Sequence, residues 1–201
     1  MIEAIRSVLS RSWAYQSFWH GIGGDRRNRV LVRDYIRPRP GDRVLDIGCG
    51  PGTMAPYLPG SNYVGFDASA EYIDRAQRRF PQARFVCQRV SHYTLAERDH
   101  FDIVLALGVL HHLDDDEALT LFQIARDAMK PGGRLVTIDG VWTDDQSGIA
   151  KYLLARDRGR FVRTESAYRT IASKVFSNIE SSIRHDLLRM PYSLIILKCV
   201  R

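Results

Sequence analysis

Residues 43–52 read Arg-Val-Leu-Asp-Ile-Gly-Cys-Gly-Pro-Gly, a short apolar run around Asp46 followed by glycine at Gly48, Gly50 and Gly52. Glycine puts no Cβ in front of the main chain and accepts turn geometries closed to other residues. Such a loop suits a ligand lying against bare backbone at the end of a buried parallel strand. A second acid, Asp67, closes the apolar run Tyr63-Val64-Gly65-Phe66. Together these features point to a nucleoside pocket. Further along, His111 and His112 precede Asp114, Asp115 and Asp116. A neutral imidazole in a cleft can remove a proton from a reacting group, and equally can hold a loop by hydrogen bonds. The histidines and acids are metal-ligand types, but adjacent histidines point different ways and the acids suit a helix start, so no metal site is expected.

The glycine loop with Asp46 and Asp67 resembles the class I S-adenosylmethionine-dependent methyltransferases, closely over residues 40–140 and loosely in the tail. A nicotinamide or flavin dinucleotide domain would instead show G-x-G-x-x-G with the acid downstream, helix-start amides meeting a pyrophosphate. Here the spacing is G-x-G-x-G and Asp46 precedes the first glycine by two positions, which suits a cationic sulfonium and ammonium and would repel a phosphate. The resemblance implies that Gly48, Cys49, Gly50 and Gly52 line the methionine and ribose. It implies that Asp67 accepts hydrogen bonds from both ribose hydroxyls, and that adenine lies near Ala68, Val90, Ser91 and His92. The family commonly has an acid for the adenine amino group where this chain has Ser91-His92, so a serine hydroxyl or a backbone carbonyl takes that place. Carbonyls around Leu107 and Gly108 would face the ammonium, and Tyr15 is the expected contact from the N-terminal segment. His111 and His112 are the catalytic candidates, with loop support as their other role. The cofactor implied is S-adenosylmethionine, leaving S-adenosylhomocysteine, with no metal.

The expected reaction is methyl transfer to an O, N, S or C nucleophile of a small-molecule acceptor, because the chain adds only short segments to the core. The alternatives are an RNA methyltransferase, prompted by the basic balance, and a non-catalytic S-adenosylmethionine-binding protein. The sequence of 201 residues carries 29 Lys and Arg against 23 Asp and Glu, a net charge of +6. Residues 1–40 hold eight arginines against three acids. Residues 151–169 hold Lys151, Arg156, Arg158, Arg160, Arg163 and Arg169 against Asp157 and Glu165. This is either a solvated surface or a basic rim around a pocket for an anionic acceptor. The chain contains no recognisable nucleic-acid module and nothing near the roughly 18 apolar residues of a membrane span. Glu3 and Arg6 interrupt the N-terminus, so no secretory signal is expected and the cytoplasm is the default. Cys49, Cys87 and Cys199 lack C-x-x-C spacing, arguing against a disulfide framework or zinc.

The elements that must hold these residues alternate. Apolar runs at 43–47, 62–66, 84–88, 101–107 and 133–139 are separated by helical periodicity, predicting a single α/β domain with a doubly wound, Rossmann-like, mostly parallel seven-stranded sheet. Ser69 should cap one helix. Asp114 to Asp116 should start another, which Pro131-Gly132-Gly133 ends. Runs at 179–188 and 193–200, joined by Arg-Met-Pro-Tyr, predict an antiparallel hairpin at the sheet edge. The domain therefore divides into an N-terminal helical cap at 1–40, including a helix over 25–36, a cofactor core at 41–140, a helical insertion or lid at 141–176, and the hairpin at 177–201. Trp13, Tyr15, Phe18, Trp19 and Trp142 either roof the acceptor pocket or form ordinary core.

Overall fold

The structure, a computed structural model, describes residues 23–90, 98–156 and 159–201. Strands β1 (Arg43–Ile47), β2 (Asn62–Asp67), β3 (Arg84–Cys87), β4 (Phe101–Leu107) and β5 (Met129–Trp142) lie parallel. Near the C-terminus, β7 (Asn178–Arg184) and β8 (Leu194–Val200) form an antiparallel pair, and β8 also runs antiparallel to β5. The order along the sheet is β3-β2-β1-β4-β5-β8-β7, with the two-residue β6 (Arg163–Thr164) pairing the end of β5. The helices are α1 (Gly24–Val30), α2 (Ala70–Arg79), α3 (Asp115–Ala128), α4 (Gly148–Ala155) and α5 (Glu165–Ser173). This is the expected doubly wound sheet with its antiparallel tail.

Apolar residues alternate between the two faces of the sheet, and both faces are covered. Leu45, Ile47, Val104 and Ala106 pack on Leu121, Phe122 and Ala125 of α3 and on Tyr168 and Ile171 of α5. Val44, Ile103, Leu105 and Val136 pack on the other side, in a cluster with Leu31, Ile36 and Ala76. Burial on both faces is what excludes alternating polar residues from these parallel strands. The helix starts are capped as expected: the Ser69 hydroxyl accepts from Tyr72 N–H at 3.3 Å, and the Asp114 carboxylate accepts from Glu117 N–H at 2.9 Å. Each such cap is worth about 1 kcal/mol.

Three boundaries differ from the sequence reading. The helix over 25–36 is α-helical only to Val30 and widens to a π-helix at Leu31–Ile36, ending at Arg37 with φ 47° just before Pro38. α3 stops at Ala128 rather than at Pro131-Gly132-Gly133, which lie inside β5. There the N–H groups of Asp99 and His100 take the carbonyls of Asp127 and Ala128, so the chain turns directly into pairing with β4. The strand expected over 179–188 ends at Arg184, because Leu187 and Leu188 leave the ladder and are buried in the core.

The strand order reverses between β1 and β4, and an open α/β sheet forms its ligand crevice outside the carboxyl ends of the strands at that switch point. Asp46, Asp67, Leu107 and Asp139 all stand at or near such ends.

Candidate active site

The glycine loop leaves β1 by folding over the end of β2, where the N–H groups of Gly48 and Cys49 both donate to the Phe66 carbonyl at 2.8 and 3.0 Å. At Gly48, φ 69°, a Cβ would lie 2.6 Å from a methyl of Val109, so this position needs glycine to admit the segment after β4. Gly50 differs. Its φ is 53° and a Cβ built there meets no atom within 4 Å, so its backbone borders open space. Gly52 is packed between Phe80 and Phe85.

Asp67 joins this loop to the next element. One carboxylate oxygen accepts from Gly50 N–H at 3.0 Å and the other from Ser69 N–H at 2.8 Å. The carboxylate therefore both shapes the loop and braces the start of α2. Each oxygen has a second lone pair, and the residue is only half-buried. Ala68 beside it is exposed, and Val90 is half-buried just past β3. Asp46, in contrast, is buried beneath the loop and accepts a hydrogen bond from the Tyr63 hydroxyl. Burial pushes its carboxyl up to about 7, against the pull of that hydrogen bond. Cys49 is buried as well, and burial followed by the Asp46 charge raises its thiol far above the usual range, leaving it unreactive.

After β4, Gly108 takes φ 76° and its N–H donates to the Ile138 carbonyl at 2.7 Å. A 3₁₀ turn, Leu110–His112, follows. His111 is buried, and both its backbone N–H and its ring Nδ1 meet one oxygen of Asp139, at 3.2 and 2.7 Å. Burial raises the Asp139 carboxyl, opposed by the bonds from His111. Its second oxygen is buried with no hydrogen-bond partner among the described residues. His112 is exposed, its ring 4.1 Å from that of His111. The two histidines, indistinguishable in sequence, thus separate into a buried, partnered one and a surface one.

Arg163 of β6, 8% exposed, secures this turn. Its guanidinium donates to the carbonyls of Leu110 (2.9 Å), Leu113 (2.7 Å) and Phe161 (2.9 Å) and to the Asp115 carboxylate. Asp115 is largely exposed, so the three carbonyls, not that ion pair, are the main structural content of the arrangement. Phe161 N–H returns a bond to the His111 carbonyl at 3.0 Å. Gly159 lies so close that a Cβ there would fall 2.1 Å from Cδ2 of His111.

The structure thus brings together the predicted Asp46, Gly48, Cys49, Gly50, Gly52, Asp67, Leu107, Gly108 and His111 at one end of the sheet. Tyr15, Ser91 and His92, with Trp13, Phe18 and Trp19, lie outside the described residues. Trp142 is half-buried at the end of β5. The sequence reading missed Asp139, Arg163, Gly159 and the role of Tyr63. Asp139 had a visible signal, since it closes the fifth apolar run as Asp46 and Asp67 close theirs. Among the described residues no three His, Cys, Asp or Glu side chains converge as a metal site would require.

Residues 44–133 match a family described as a methyltransferase domain. An uncharacterized methyltransferase of Synechocystis is 29% identical over 145 residues, 66% of this chain and 68% of that protein. The 27-O-demethylrifamycin SV methyltransferase of Amycolatopsis mediterranei is 36% identical over 164 residues, 73% of this chain and 59% of that protein. The chain thus spans about two thirds or less of the length of these relatives. The fold is also that of a TehB-like methyltransferase from Corynebacterium glutamicum, with TM-score 0.69, 20% identity, and 96% and 99% of the two chains covered. Residues 44–133, with their glycine loop and paired strand-end acids, match the methyltransferase-domain family, and the chain is similar to class I S-adenosylmethionine-dependent methyltransferases.

Proposed function

We propose that the protein methylates a small-molecule acceptor, and that the glycine loop and Asp67 hold the S-adenosylmethionine. The observation that carries this reading is at Gly50, whose backbone faces open space while its N–H is tied to the Asp67 carboxylate. A cradle without side chains and an adjacent carboxylate fit an adenosyl group. In this arrangement Asp67 accepts the ribose hydroxyls through its remaining lone pairs, and Gly48, Cys49, Gly50 and Gly52 present main chain to the ribose and methionine. Ala68 and Val90 flank the adenine, and the carbonyls near Leu107 and Gly108 face the ammonium. Asp46, buried beneath the loop and bonded to the Tyr63 hydroxyl, supports the loop rather than contacting the ligand directly.

When bound, S-adenosylmethionine supplies a methyl group on a sulfonium, an activated leaving group. The protein's task is then alignment and exclusion of water, and well-oriented reactants are worth roughly 7–11 kcal/mol. The segment through Gly159 and Phe161, packed against the His111 turn, supports that exclusion. A small acceptor is favoured because one relative is named for methylation of 27-O-demethylrifamycin SV. The donor set favours no metal. Free Cys49, Cys87 and Cys199 and the lack of any described helix long and apolar enough to cross a membrane fit a reducing, cytoplasmic setting.

The test is calorimetry with S-adenosylhomocysteine, followed by an acceptor screen that reads its release from S-adenosylmethionine. Micromolar binding and turnover of at least one small acceptor are expected. Binding with no turnover of any acceptor class would make the chain a cofactor-binding protein, and absent binding would end the reading.

A further inference from the structure

We infer that the outward side of α4 is an interface on which a second copy of this chain docks, the two α4 helices lying antiparallel across a two-fold axis near Tyr152 and Leu153. The inference concerns association and stands whether or not the chain binds S-adenosylmethionine.

The composition of the helix is the starting point. Residues 148–155 read Gly-Ile-Ala-Lys-Tyr-Leu-Leu-Ala, with Lys151 the only charge. The helix is held at its start by the Ser147 hydroxyl, which accepts from Ala150 N–H at 3.2 Å. Ala150 and Leu154 are buried, and a Cβ on Gly140 of β5 would lie 2.7 Å from a methyl of Leu154. That stripe seats the helix on the sheet. Ile149, Tyr152, Leu153 and Arg156 follow the i, i+3, i+4, i+7 spacing of a second stripe. Ile149 is 64% exposed and Tyr152 51%, the two most exposed large apolar side chains among the described residues. Lys151, two residues from Ile149, projects to another side of the helix. A helix that is apolar on two sides is ordinarily covered on both, and here one of them meets solvent.

The charges at the two ends of α4 choose the occupant. Asp144 and Asp145 are exposed just before the helix begins. Arg156 is exposed where it ends, its guanidinium carbon 3.7 Å from the centre of the Tyr152 ring. In an antiparallel pair the acidic end of each copy faces the partner's Arg156, and the helix dipoles run in opposite directions. A parallel pair would bring like charges together. A two-fold axis makes the two end contacts identical, as a self-complementary surface requires. With the axis between residues 152 and 153, the Tyr152 and Leu153 side chains fill the centre and Ile149 lies against the stem of the partner's Arg156. An anionic lipid surface would also take an apolar stripe with a cation beside it, but it would repel Asp144 and Asp145. A second copy uses both signs.

The size of the contact sets its strength. An eight-residue helix is about 12 Å long, so the face is small beside the roughly 800 Å² per partner of standard complexes. The species expected is a transient dimer whose population rises with concentration. α4 and the Gly159–Phe161 segment belong to one insertion between β5 and β6, so the docking face is carried by the part of the chain that packs on the His111 turn. No residue of the glycine loop takes part.

Sedimentation velocity on the full chain tests this, from about 1 to about 500 µM, a range that covers the exchange of small interfaces. The wild type should pass from monomer to dimer across it. Ile149→Gln combined with Tyr152→Gln should weaken association at least tenfold, with the circular dichroism spectrum unchanged. Two charge variants then test the antiparallel arrangement. Asp144→Arg with Asp145→Arg makes both ends of the face positive, and Arg156→Glu makes both negative. Each alone should stay monomeric while their equimolar mixture dimerises, a rescue that damage to the fold would not give. A wild type that is monomeric throughout would overturn the proposal. Its pelleting with phosphatidylglycerol vesicles would then give the face to a lipid surface, and its failure to pellet would leave the face to the chain's own residues 1–22. A dimer indifferent to the Gln substitutions, or a mixture that stays monomeric, would overturn the proposal as well.

Discussion

Replacing Gly50 with valine separates pocket filling from backbone strain, because the structure supplies its own control. Gly50 and Gly60 both sit at positive φ, 53° and 76°, and a Cβ at either meets no protein atom within 4 Å. Holding a side chain in the left-handed region costs about 1–2 kcal/mol, more for a branched one, so both variants should lose comparable stability and both should fold. They differ in what the new side chain displaces. At Gly50 it enters the space assigned to the ligand, and its N–H can no longer be held as cleanly by Asp67. At Gly60, in the turn before β2, it enters solvent. Excluding the ligand from its contact with the loop should cost at least about 2.8 kcal/mol, or 100-fold in affinity. Thermal melts should show similar decreases, while calorimetry with S-adenosylhomocysteine should show near-normal binding for Gly60→Val and none measurable for Gly50→Val. Equal affinities in the two variants would refute the placement of the ligand.

Asp67→Ala should weaken S-adenosylhomocysteine binding by at least tenfold, since each charge-assisted bond to a ribose hydroxyl is worth roughly 1.5–3 kcal/mol; unchanged affinity in a folded variant would remove Asp67 from the site. Arg163→Met strands the carbonyls of Leu110, Leu113 and Phe161. It should lower stability by about 3 kcal/mol in urea titration and depress turnover more than cofactor binding. Asp46 makes the wild type sensitive to pH in an unusual direction. Its carboxyl is raised to about 7 in the fold and lies near 3.9 in the unfolded chain, so the native state binds the extra proton. The contribution is level below about pH 4, falls as pH rises through that window, and levels again above about 7. Asp46→Asn should flatten that part of the stability profile, and a profile of unchanged slope would show that Asp46 is not the group responsible.

Much of this site was legible before any coordinates, and the reason is local. Strand-length apolar runs ending in Asp46 and Asp67, with glycines directly after the first, encode both the strand ends and the loop, because the physics that needs them acts within a few residues. The caps at Ser69 and Asp114 were readable for the same reason. The His111–Asp139 pair was not, since the partners stand 28 residues apart. Only the β4–β5 register, with Leu107 opposite Ile138, brings Asp139 alongside that turn. Arg163 was hidden among other arginines of a basic stretch, and only its burial distinguishes it. Helix α3 ran short because the Asp127 and Ala128 carbonyls found partners before β4, a tertiary contact that Pro131 and Gly132 do not announce.

The most direct measurement is a crystal structure of the protein soaked with S-adenosylhomocysteine. The account predicts the ribose hydroxyls within hydrogen-bonding distance of Asp67, the thioether chain along the backbone of Gly48 and Gly50, and its sulfur on the His111 side of the crevice. Density for the ligand elsewhere, or a crevice that takes up a dinucleotide and leaves S-adenosylhomocysteine unbound, would contradict it.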